Sequence, residues 1–298
     1  MKKYIIISFL ALVTGGAQAQ QLQASSLYEL QGVLHNPAMA GMQATNMAGV
    51  TYRSQWSGIS GSPRTFTAFG SFNLPKHKIG VGGYVYSDKT GPTSRNGVQL
   101  AFAKHIVMQN GNRFSLGIES RIMQYNIDQA KLAATLGNDP VIGGSDSRMK
   151  FDAGFGMAYS TEHFQIGASV SQLVQSKLDF YNGNFSRTEE ARLYRHYYLH
   201  ALYKWDVDDA TTIIPNMMVI YLPNAPTDAV MGARVEHHKT FWWGLGYRAR
   251  QSYMLSAGVV INKQFVIGYS FEDYKTPISL FDGSNSGHEL MLRYNWAK

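Results

Sequence analysis

His196 and His200 stand four residues apart. In an extended chain that spacing puts both imidazoles on one face, with Tyr194, Tyr198 and Leu202. Two imidazoles can begin a metal site, but no third ligand lies near them in the sequence. A place in a wall or an interface accounts for them more simply. Glu236-His237-His238 falls at a strand end and short turn, where adjacent histidines are solvated. Asp206, Asp208 and Asp209 match a fragment of a calcium loop, yet the rest of the loop pattern is missing, and a surface turn accounts for them. There is no Gly-x-Ser-x-Gly, no glycine-rich phosphate loop and no residue that stands out as a nucleophile. The chain reads as a protein without enzymatic activity, with no metal and no cofactor.

The polar groups with more to offer are Arg53, Gln55, Glu119, Arg121, Arg248, Arg250, Glu289 and Arg293, and their meaning depends on the elements that carry them. From Arg113 to Ile122, Phe114, Leu116, Ile118 and Ile122 fall on one face, and Ser115, Gly117, Glu119 and Arg121 on the other. Phe164, Ile166, Ala168 and Val170 alternate in the same way with Gln165, Gly167, Ser169 and Ser171. A period of two is the signature of a strand with two unlike faces. Twelve further runs near 46–56, 64–73, 78–87, 96–106, 149–160, 193–204, 211–221, 228–237, 240–250, 253–262, 263–272 and 287–297 bring the expectation to fourteen. Each is close to the roughly 9–11 residues that a tilted strand needs to cross a bilayer. A helical period finds little support after Leu34.

The connections alternate in length. Short ones fall near 73–77, 107–112, 160–163, 206–210, 238–240 and 262–263, and longer ones near 54–63, 125–148, 172–192 and 272–287, although 222–227 and 250–253 are short. Membrane barrels have short periplasmic turns, longer outer loops and an even strand count. A soluble β-sandwich has no reason to alternate its loops. Charged residues make up 16%, against the usual quarter or so, and aromatics are plentiful. The expected fold is therefore all-β: a transmembrane, antiparallel, up-and-down β-barrel of fourteen strands covering 46–298. An even count puts both termini in the periplasm. The final strand carries Leu290, Leu292, Tyr294 and Trp296 on one face, the usual form of a closing strand, although Ala297-Lys298 trails it atypically.

Lys2 and Lys3, an apolar run from Tyr4 to Val13 and Ala17-Gln18-Ala19 make residues 1–19 an expected secretory signal peptide, cleaved after Ala19. Without the two lysines the chain has 25 basic and 20 acidic residues, or +5. No basic cluster or nucleic-acid motif accompanies that mild charge, which excludes nucleic acid as partner. A basic balance suits a membrane with anionic head groups. There is no cysteine, so no disulfide can contribute.

Residues 20–45 precede the first strand, with apolar Leu27, Leu30, Val33 and Leu34 ahead of Asn36-Pro37-Ala38-Met39-Ala40-Gly41. Pro37 holds Asn36 extended and Gly41 permits a turn. The segment reads as a compact plug in the periplasmic mouth or lumen, the alternative being a disordered leader. Charges of both signs in a lumen need partners, and arginine offers a planar fork to carboxylates and carbonyls. Arg53, beside Gln55, is expected to bond the Asn-Pro-Ala carbonyls or a lumen carboxylate, lacing the lumen shut. A water-filled pore with solvated charges is the alternative. The longest loops expose Leu132, Leu136, Val141 and Ile142, and Leu178, Phe180, Tyr181 and Phe185, apolar groups of the kind that concentrate binding energy. They read as partner-binding loops, or as side chains that cap the barrel rim.

Asn36-Pro37-Ala38-x-Ala40-Gly41, Tyr52-Arg53-x-Gln55-Trp56, Gly80-Val81-Gly82, Asp88-x-x-Gly91-Pro92, Gly246-Tyr247-Arg248 and Gly287-His288-Glu289-Leu290, in this order over nearly the whole chain, resemble the PorP/SprF family of Bacteroidota outer-membrane proteins. Asn-Pro-Ala alone also occurs near the N-terminus of fatty-acid-transporter barrels. The family resemblance implies a type IX secretion component that supports secretion and surface attachment of large proteins, adhesins among them in gliding species. The partners it implies are a secreted cargo or its C-terminal signal domain, periplasmic ring components of the machine and outer-membrane lipid. It implies no enzymatic activity. The alternative class is a porin or a hydrophobic-solute transporter.

Overall fold

The computed structural model describes residues 25–43, 45–136, 147–178, 192–223, 225–275 and 285–296. Alternation becomes a closed sheet. The strands are β1 (Asn46–Ser54), β2 (Arg64–Leu74), β3 (Ile79–Thr90), β4 (Thr93–Val107), β5 (Arg113–Ile127), β6 (Ser147–Ser160), β7 (Phe164–Ser171), β8 (His196–Tyr203), β9 (Trp205–Asp206), β10 (Thr211–Tyr221), β11 (Asp228–His237), β12 (Phe241–Arg248), β13 (Ser252–Ile261), β14 (Phe265–Tyr274) and β15 (Ser286–Trp296). Each pairs antiparallel with its neighbours, and β15 closes on β1 from Asn46↔Trp296 to Ser54↔His288. β9 is a two-residue extra strand that continues β8 along β10, so fourteen strands make the barrel. Closure satisfies the backbone of every strand where lipid cannot.

Four strands, β3 to β6, outrun the expected spans. β3 and β4 pair as far as Thr90↔Thr93, so Gly91-Pro92 alone turns the hairpin. β5 and β6 pair as far as Asn126↔Ser147, well beyond the expected ends at 122 and 149. The loop after β5 opens with a short helix, α1 (Gln129–Leu136), which the sequence reading did not anticipate. Its N-terminal turn is held by the Asp128 carboxylate, which accepts from the Lys131 amide at 3.1 Å.

The outward face is apolar and exposed, with Leu100, Ile118, Phe151 and Leu255 more than half accessible. Exposed aromatics gather at both strand ends. At the short-turn end, Phe72 meets Trp296 at 5.8 Å between ring centroids and Phe265 meets Tyr294 at 4.8 Å. At the long-loop end, Tyr197 meets Tyr221 at 5.9 Å and Tyr247 meets Tyr253 at 5.3 Å. An apolar belt between two aromatic girdles is the surface of a barrel that crosses a membrane.

The inward face is not uniformly polar. In its short-turn half Phe69, Trp242, Val266 and Met291 are buried against Leu27, Leu30 and Val33. Sequence parity gave the direction of these residues, but only the N-terminal segment, by filling the lumen, makes an apolar core there. Residues 25–42 run down the barrel through three single-turn 3-10 helices, Tyr28–Leu30, Gly32–Leu34 and Pro37–Met39. β1 begins and β15 ends at the short-turn end. Ser25 and Ser26 instead bond Glu289, three residues from the opposite end of β15. The described chain thus starts in the long-loop half of the lumen, the second of the two placements expected for this segment.

Candidate functional site: a plugged lumen

Asn36 is fully buried and holds the lower end of the plug. Its Oδ1 accepts from the Ala38 amide at 2.9 Å, capping the third 3-10 turn, with Pro37 in first position, where a missing N–H costs nothing. Its Nδ2 donates to the carbonyls of Met157 at 3.1 Å and Ala168 at 3.4 Å and stands 3.0 Å from His200 Nε2. Ser115 Oγ donates to Ala38 O at 2.9 Å, and Arg113 Nη1 to Met42 O at 2.8 Å. The wall opposite is cut away to admit the turn: a Cβ on Gly117 would come within 2.3 Å of Ala38 N. Gly41, at φ +61°, makes the bend into β1, and its amide donates to Ser71 Oγ at 2.8 Å. A side chain there would press on Phe72 O at 2.5 Å as well as strain the left-handed backbone.

Arg53 holds the upper end. It sits between Glu272, in close contact, and Glu289 at 3.1 Å, all three nearly inaccessible. It also donates to Ser26 Oγ and to Tyr274 Oη at 3.0 Å, and Gln55 Nε2 reaches the same phenol at 2.9 Å. Glu289 accepts from Ser25 Oγ and from the Ser26 amide at 2.8 Å. Arg248 extends the network across β12, to Glu272 at 3.2 Å and Asp228 at 2.9 Å. Between the two ends, Glu29 pairs with Arg234 at 2.8 Å, Tyr28 Oη donates to Asn216 at 2.6 Å and Arg293 donates to Leu30 O at 2.9 Å.

The structure therefore gathers Arg53, Gln55, Arg248 and Glu289 into one cluster, with Arg293 further down the plug. Arg53 bonds two carboxylates and Ser26, far from the Asn-Pro-Ala carbonyls, because β1 carries it most of the barrel's height above them. Glu119 and Arg121 face inward and pair with each other at 2.8 Å, not with the plug. Arg250 corrects the inward set: it lies in the β12–β13 turn at φ +65°, exposed. The sequence reading missed Glu272, Tyr274, Asp228, Arg234 and Glu29. Glu272 shares the parity of Ser270 at the end of the expected strand 263–272, a signal that could have found it.

His196 and His200 line the wall, His196 Nδ1 at 2.9 Å from Gln172 Oε1. The Asp208 carboxylate accepts from the amides of Ala210 and Thr211, each at 2.7 Å, and those donors, Ala210 first, hold its pKa below the usual carboxylate value. Among the described residues no group of three His, Asp or Glu is placed to hold a metal. Of the expected binding-loop residues, Leu132 lies half-buried on α1. Phe180, Tyr181 and Phe185 fall outside the described residues, as does the side chain of Leu136.

The family model for the type IX secretion system membrane protein PorP/SprF matches residues 17–294. No curated protein matches the chain. Among solved structures, the CymD monoaromatic hydrocarbon channel is similar with a TM-score of 0.55 at 10% identity, over 90% of this chain and 92% of that one. A FadL homologue from Pseudomonas aeruginosa gives 0.51 at 11% identity, over 88% and 92%. At such identities the likeness is one of fold.

Proposed function

The chain belongs to the type IX secretion membrane protein PorP/SprF family, and from that premise we propose that this outer-membrane barrel supports secretion and surface attachment of large proteins by protein–protein contact. In this reading residues 1–19 are removed on export. The plugged barrel presents its outer loops to a cargo, or to the cargo's C-terminal signal domain, and its short turns to periplasmic ring components. The observation that carries it is the plug, anchored at one end by buried Arg53 between two glutamates and at the other by Asn36 against the wall. A lumen stoppered by its own chain works through its rims. Family and fold are of non-enzymatic types.

Deleting residues 179–185 should leave the barrel heat-modifiable on gels yet reduce the cargo retained at the cell surface. A strain lacking the protein that displays every surface protein normally, but loses uptake of a small solute, would overturn this reading in favour of a transporter.

A further inference from the structure

Beside the plug the lumen keeps a cavity of about 90 Å3, room for several waters or one small ligand. Its wall is unusually rich in donors that have nothing to bond. Arg121 is almost fully buried, and among the described residues only its Nη2 has a hydrogen-bond partner, Glu119 at 2.8 Å, while Nε and Nη1 have none. Tyr84, Tyr86 and Tyr198 also line the cavity, and among the described residues their hydroxyls make no hydrogen bond, while the Tyr84 ring lies 5.7 Å from the Arg121 guanidinium. The carboxylates on the wall, Asp88 and Glu289, are already engaged by Arg95 and Arg53. Met218 and Ile220 supply an apolar side. Buried donors without acceptors cost free energy until something supplies an acceptor. An accepting group attached to a small flat apolar body answers Arg121, the phenols and the apolar side, while Gln31 Oε1, a buried acceptor on the same wall, has no donor among the described residues.

We propose that the cavity is a binding site for a small organic carboxylate, its oxygens taken by Arg121 and the surrounding phenols and its body packed against the tyrosine rings, Met218 and Ile220. The site borders Ser25, Arg53 and Glu289 of the plug's anchor, but the contacts proposed for the ligand are made by other residues. It requires neither a conducting lumen nor a cargo, so its test and that of the secretion role fail independently.

Benzoate is the probe, titrated calorimetrically into the whole barrel in detergent, with toluene as a body lacking the acceptor and inorganic phosphate as an anion lacking the body. The expected result is saturable one-to-one binding of benzoate alone. Arg121→Met should weaken it about tenfold or more, the scale of one hydrogen bond between charged groups. Tyr84→Phe, which keeps the ring and its packing, should weaken it by about threefold or more, the scale of one neutral hydrogen bond. Heat-modifiability reports whether each variant is folded, and if Arg121→Met is not, Tyr84→Phe decides. No saturable heat with benzoate, equal binding of toluene or phosphate, or wild-type affinity in the folded variants would overturn the proposal.

Discussion

Arg53 concentrates the forces that hold the plug. Removing one partner of a buried ion pair typically costs about 3–5 kcal/mol, because the charge left behind stays buried. In Arg53→Ala, Glu272 keeps Arg248, while Glu289 keeps only the hydroxyl and amide donors of the plug. The expected outcome is a barrel that still assembles, its ladder untouched, but whose residues 25–42 are cut faster by added protease. Equal cleavage in mutant and wild type would remove Arg53 from this role. At the other end Gly117→Val places methyl groups where Ala38 N now sits, 2.3 Å from the new Cβ. Overpacking of this kind costs about 1–3 kcal/mol or more, so the temperature at which the barrel loses heat-modifiability should fall. An unchanged midpoint would show that the turn can shift aside.

Among the elements, the hairpins set which end of the barrel meets which compartment. Short turns such as Ser160–Phe164, where Thr161 N donates to Phe164 O at 2.7 Å, are expected on the periplasmic side. Longer connections, the one carrying α1 among them, are expected outside. The chain has no cysteine of its own, so single cysteines report cleanly. One at Lys131, exposed on α1, should be labelled on intact cells by a reagent that does not cross the membrane, and one at Asp208 only after the outer membrane is opened. The reverse pattern would invert the barrel.

For the molecule as a whole, the plug and the barrel wall share one core. Leu27, Leu30 and Val33 are buried against Phe69, Trp242 and Met291, and each fully buried aliphatic side chain contributes about 1.5–3 kcal/mol. A stopper bound this way should stay seated. Wild-type protein in planar bilayers is expected to show no steady conductance, and a variant lacking residues 25–42 should open a pore. Wild-type conductance equal to that of the deletion would mean that ions pass the plug and would favour a diffusion channel.

The strand count, the inward or outward direction of nearly every residue and the alternation of the loops were legible in the sequence, because lipid permits only a closed sheet and the pleat fixes direction at every second residue. Asn36-Pro37-Ala38 and Gly41 announced a compact turn for the same local reason. What those inward residues meet was decided only when the ends of the sheet joined. Closure brings Arg53 on β1 beside Glu272 on β14 and Glu289 on β15, partners more than two hundred residues away that no local period reveals. It also converts Trp242 and Met291 from inward side chains into the floor of a core, since only the folded N-terminal segment excludes water from them. And it leaves Arg121 and three tyrosines facing a common space, an arrangement of three separate strands that exists only in the closed barrel.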